Sequence, residues 1–188
     1  MTAVRRPRTP VGMEPLPAPR KWQAITLATL LLVPAYWSML AGLVAAASDA
    51  PDPLPNPAAS LAFGLALIPF VFVVLAFVSE HPRAPAAVVR AMVLAVVVGA
   101  MVSVVAADAV TGIVAGVGAG GVVALRSDTD HNWRARAYAV AFAVVYTFVL
   151  VRMASALALL PAPIFPFTAV GIADHLSERR RALDRQGP

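Results

Sequence analysis

From Ala86 to Leu125 the chain is almost wholly apolar, and its only charged residues are Arg90 near its start and one acid, Asp108. As a single helix this stretch would run to about 60 Å, twice the thickness of a hydrocarbon core of about 30 Å. It has to double back, and Asp108 is where a turn costs least. Composition then decides the solvent. Hydrophobic residues make up 60% of the chain and charged residues 13%, whereas charges approach a quarter of a soluble domain. The expected fold is all-α, a polytopic transmembrane helix bundle embedded in a lipid bilayer.

The remaining apolar runs have the lengths such a bundle needs. Residues 1–21 carry Arg5, Arg6, Arg8, Arg20 and Lys21 among five prolines, too polar and too broken to fold alone. They read as a basic, Pro-rich, disordered cytoplasmic arm. Spans are expected at about 22–47, 58–78, 86–107, 109–125, 138–160 and 162–176. The first could pass for a signal peptide because Ala45, Ala46 and Ala47 resemble a cleavage site. Its apolar run, however, is well beyond the usual signal length of about 7 to 15 residues. Residues 48–57, rich in proline and acid, must form a loop. Pro69 is expected to kink the second span, Pro85 to open the third, and Arg90 to snorkel back toward the headgroups. Trp133 and Tyr138 suit an interfacial belt at the start of the fifth.

Basic residues set the orientation. With six spans arranged as three helical hairpins, 14 of the 15 basic residues fall on the cytoplasmic side and only Arg152 does not. Five spans plus a re-entrant C-terminal segment, the alternative, would strand Arg179, Arg180, Arg181 and Arg185 outside, against the positive-inside rule. Six spans put both termini in the cytoplasm, with 177–188 as a basic tail and 162–176 as a shallow, irregular return span. Arginine outnumbers lysine fourteen to one, the compositional style of a GC-rich bacterium, so the expected location is a bacterial cytoplasmic membrane.

Within the hairpin of spans three and four, Ala91, Ala95, Gly99, Ser103 and Ala107 recur every fourth residue. Gly112, Gly116, Gly120 and Ala124 do the same on the facing span. Small residues at this spacing let backbones approach closely where lipid removes the hydrophobic drive. The expected role of Ala95, Gly99, Ser103, Gly112, Gly116 and Gly120 is helix packing within the hairpin, with a dimer seam or hinge as the functional reading. Leucine at Gly116 should force the helices apart, and alanine there should be tolerated. Two ionisable residues, Asp108 and Arg152, lie at similar expected depth, toward one face of the bilayer. They form a candidate intramembrane ion pair, the usual way to tolerate such charges.

Chemistry beyond this is sparse. Each histidine follows an acid, in Glu80-His81, Asp130-His131 and Asp174-His175. Such pairs could mark repeated hairpins or a metal site, but solvated turn residues explain them equally. No metal or cofactor is therefore expected. There is no cysteine, which removes disulfides, thiolate metal sites and cysteine nucleophiles. HExxH, GxSxG and GxxxxGK[ST] are all absent. The glycines from Gly112 to Gly121 follow no strand and precede no lysine, so they form no phosphate loop. No enzyme activity is expected, and basic residues scattered between apolar runs make no nucleic-acid face. Two functions remain. One is a non-enzymatic accessory or scaffold component of a membrane assembly, bound to a membrane-protein partner. The other is a small transporter or channel, a homo-oligomer with Asp108 and Arg152 near its path. Scarcity of polar residues in the spans favours the first.

Overall fold

A computed structural model describes residues 18–48, 56–125, 133–154 and 161–185. These residues are helical apart from short turns, and no strand occurs among them. Six helices follow one another: α1 Ala18–Ala46, α2 Pro57–Val78, α3 Ala84–Ala106, α4 Ala109–Ala124, α5 Trp133–Ala154 and α6 Pro161–Arg185. Four of them, α1, α2, α3 and α5, contain stretches long and apolar enough to cross a membrane. The apolar parts of α4 and α6 are shorter, and the 16 residues of α4 extend only about 24 Å.

The four long apolar segments turn most of their surface outward, with between 11% and 33% of each most apolar window buried. Trp37, Val96, Met101, Val104, Val105, Val145 and Met153 are all exposed. Exposed apolar surface of this extent fits contact with lipid chains. The short helix α4 reverses the pattern. Twelve of its residues are buried, because α3 covers one side while α5, α6 and α2 cover the others. Short, small and apolar all round, α4 is the axis on which the bundle is assembled.

The most extensive helix contacts are α3 with α4 and α1 with α2. Both pairs run antiparallel. In the α1–α2 pair, Gly64 of α2 lies against the Ala35 carbonyl and Met39 of α1, while Gly42 of α1 lies against Pro57 and Leu61 of α2. Ser38 adds a hydroxyl hydrogen bond to the Ser60 carbonyl oxygen, at 2.8 Å. Helix α6 packs on α4, α5 and α1, with Phe167 buried against Gly121 and Gly171 against Ile25 and Trp22.

Several boundaries differ from the expectations, each for a local reason. Helix α1 begins at Ala18, so Arg20 and Lys21 belong to its first turns and not to the arm. Arg20 pairs with Glu80 in the α2–α3 turn, and Lys21 is buried. Helix α3 starts at Ala84, with Pro85 in its first turn, where a missing N–H costs nothing. Helix α5 starts at Trp133, ahead of Tyr138, so Arg134 and Arg136 are helical. The return segment is a regular helix and not an irregular span. Pro161 and Pro163 fall in the first turn of α6, and the helix continues unbroken past Pro166 to Arg185. The four C-terminal arginines are therefore carried on a helix. Residues 1–17 of the arm, most of the 48–57 loop, Arg126, Asp130-His131 and Ser155 lie outside the described residues.

Candidate functional site

The α3–α4 hairpin is the best-defined constellation in the molecule. Its seam is backbone against backbone. A methyl group placed on Gly99 would stand 3.2 Å from the Gly112 carbonyl oxygen, and one on Gly120 would stand 2.7 Å from that of Ala91. On Gly112 it would collide with the Ser103 hydroxyl and the Gly99 carbonyl, and on Gly116 with the Ala95 carbonyl. The six small residues expected at the seam are therefore brought together in register. The tolerance expected of alanine at Gly116 does not hold, because the obstacle is the carbonyl of α3, which cannot rotate away. Gly118, on another face of α4, has only ordinary contacts, with Ala143 at 3.7 Å and Pro163 at 3.8 Å.

The seam ends in a turn of two residues. Ala107 takes a left-handed conformation with φ of 52°, and the Ala107 and Asp108 N–H groups donate back to the Val104 and Ser103 carbonyls, at 3.3 and 3.1 Å. This is a Schellman closure of α3. Asp108 at once opens α4: its carboxylate accepts from the Val110 and Thr111 N–H groups, at 3.1 and 3.0 Å, and from the Thr111 hydroxyl. Partial burial alone would raise the Asp108 carboxyl. The hydrogen bonds from Thr111 and Val110, with the nearby Arg152 charge, outweigh it and hold the group below the usual carboxylate range.

Arg152 reaches the same end of the bundle from α5. Its guanidinium donates to the Ala106 carbonyl oxygen at 3.5 Å and lies 5.3 Å from the centre of the Phe148 ring. The contact is with the last turn of α3, whose carbonyls carry partial negative charge. Asp108 and Arg152 are thus brought near each other, with the carboxylate occupied by α4 and the guanidinium by α3.

The α2–α3 turn, at the other end of α3, closes α2 by a similar device. Glu80 is left-handed, with φ of 51°, and the Glu80 and His81 N–H groups donate to the Phe77 and Ala76 carbonyls. His81 Nδ1 accepts from the Arg83 N–H at 3.0 Å. The Glu80-His81 pair therefore belongs to turn geometry. Among the described residues no three of His, Asp and Glu gather as metal ligands.

Three features were not anticipated. The Thr111 hydroxyl completes the Asp108 cap, and an acid immediately before an apolar helix was the available signal. Tyr36 and Thr147 bury hydroxyls that have no hydrogen-bond partner among the described residues; nothing in the linear pattern marks them. An apolar cleft of about 440 Å³ opens between α2 and α3, with α4 as its floor and Leu65, Pro69, Phe72, Val96 and Gly99 among its walls. It exists because α2 packs tightly on α1 and α3 on α4, while α2 and α3 meet only loosely. Compared with known protein families, curated proteins and solved structures, the chain matches none.

Proposed function

We propose that the chain is a multi-pass integral membrane protein with six spans arranged as three hairpins, serving as a non-enzymatic accessory or scaffold component of a membrane assembly. The observation that carries this reading is how the polar groups of the bundle are used. Asp108 and Thr111 cap α4, Arg152 binds the end of α3, and the α3–α4 seam is glycine and alanine backbone. A solute path needs lining groups that remain available to the solute, and these are committed to holding helices together. Both termini are assigned to the cytoplasmic side of a bacterial inner membrane. The Arg20–Glu80 pair joins the start of α1 to the α2–α3 turn, as α1 and α2 forming one hairpin requires, and the distribution of basic residues supports assigning that side to the cytoplasm.

Affinity purification in mild detergent tests the reading. A stable heteromeric partner supports an accessory role. Homogeneous homo-oligomers that conduct ions or solutes in liposomes favour the transporter instead, with Asp108 and Arg152 near its path.

A further inference from the structure

The start of α3 brings two arginines to one outward side, Arg83 at its N-cap and Arg90 in its second turn. Arg83 and Arg90 are seven residues apart, a spacing that returns to the same side of a helix within about 20°. Both are exposed, and among the described residues neither faces a carboxylate, since Glu80 is taken by Arg20. Arg90 does not extend along the helix. Its Nε–H donates to the Ala86 carbonyl oxygen one turn back, at 3.1 Å, which draws the guanidinium back toward the N-terminal end of α3, the end at which Arg83 stands, and does not use its terminal N–H groups. Further along the same face, two and three turns past Arg90, Val97 and Met101 are exposed.

We infer that this face of α3 binds an anionic phospholipid, its phosphate held by Arg83 and Arg90 and an acyl chain lying along Val97 and Met101. The inference rests on the membrane location proposed above. The occupant follows from charge complementarity at a fixed depth. Two guanidiniums that face no carboxylate among the described residues stand where the helix would enter the bilayer, and the ligand must carry negative charge at one end and hydrocarbon at the other. Guanidinium is well matched to phosphate because its planar fork supplies parallel donors.

The test uses the full-length protein in mild detergent, with thermal unfolding followed as phosphatidylglycerol or phosphatidylcholine of identical acyl chains is added. Phosphatidylglycerol should raise the melting temperature of the wild type and phosphatidylcholine should not. Arg83→Gln with Arg90→Gln should abolish that rise, each change weakening apparent lipid affinity about fivefold. Arg83→Lys with Arg90→Lys should retain part of it, and Arg134→Gln on α5 should leave it intact. An equal loss in Arg134→Gln would overturn the site in favour of general surface charge, and an equal rise with inorganic phosphate would overturn the lipid as ligand. Alkaline carbonate extraction separates the two levels of the proposal. Protein that stays in the membrane but shows no phosphatidylglycerol effect refutes this site alone, whereas protein released by carbonate refutes the membrane location on which it depends.

Discussion

Asp108 illustrates how a charge beside a membrane can be wholly occupied with local structure. It satisfies two N–H groups at the start of α4, which would otherwise be unpaired next to lipid. Asp108→Ala should therefore cost about 1 kcal/mol, measurable as a lower melting temperature in detergent. The sign of the pH effect follows from the depressed carboxyl. A group whose folded pKa is lowered contributes stability that is complete above its unfolded pKa and is lost as pH falls through the folded value. Acidification through the carboxylate range should thus destabilise the wild type more than Asp108→Asn, and parallel acid profiles would contradict the assignment. Arg152→Gln should be destabilising too, and combined with Asp108→Asn it should cost less than the sum, because each charge favours the other. Ala107 offers the opposite prediction. Its left-handed backbone suits glycine, so Ala107→Gly should stabilise by about 1 kcal/mol. The position of this turn was legible in the sequence, since one acid between two apolar runs leaves no other choice. Its tightness was legible too, since the expected spans 86–107 and 109–125 leave only Asp108 between them, but the left-handed backbone of Ala107 was not, because nothing about alanine announces a positive φ.

At the scale of elements, α4 shows what a four-residue repeat of glycines achieves. Gly112, Gly116 and Gly120 present bare backbone to α3, and the opposing carbonyls of Gly99, Ala95 and Ala91 fill the space side chains would need. Gly116→Ala should destabilise by about 1–3 kcal/mol through overpacking against a carbonyl, and Gly116→Leu should separate the helices altogether. Gly118→Ala on the same helix should be neutral or stabilising by up to about 1 kcal/mol, since its neighbours leave room and alanine favours helix. Thermal melts of the two alanine variants check the contrast directly, and equal effects would mean the seam is looser than described. The small-residue stripes were readable because spacing alone selects a helix face. The severity at Gly116 was not, because it depends on the depth to which one helix sinks into the other. The cleft between α2 and α3 was likewise invisible, being a consequence of which hairpins close tightly. The helices reach beyond the expected spans where basic side chains sit inside them, by four or five residues at the starts of α1 and α5 and by nine at the end of α6. Charge density marks the edge of an apolar run, but arginine and lysine are good helix formers and do not end the helix itself.

At the scale of the whole molecule, the arrangement is an inside-out version of a soluble bundle. The outer helices expose valine, methionine and tryptophan, and the buried centre is α4, built largely of glycine, alanine and valine. Such a design suits a lipid environment, and in the proposed membrane location the basic residues would decide which way the bundle faces. The central claim is that six helices cross the membrane and return the α6 arginines to the side of the α1 start. The absence of native cysteine permits a direct measurement: single cysteines introduced as Ala47→Cys and Leu183→Cys, probed with a membrane-impermeant thiol reagent in spheroplasts of an expressing bacterium. The account predicts labelling at position 47 in intact spheroplasts, and at position 183 only after the membrane is permeabilised. Labelling at position 183 in intact spheroplasts would contradict it, leaving α6 on the outer side and the six-span arrangement wrong.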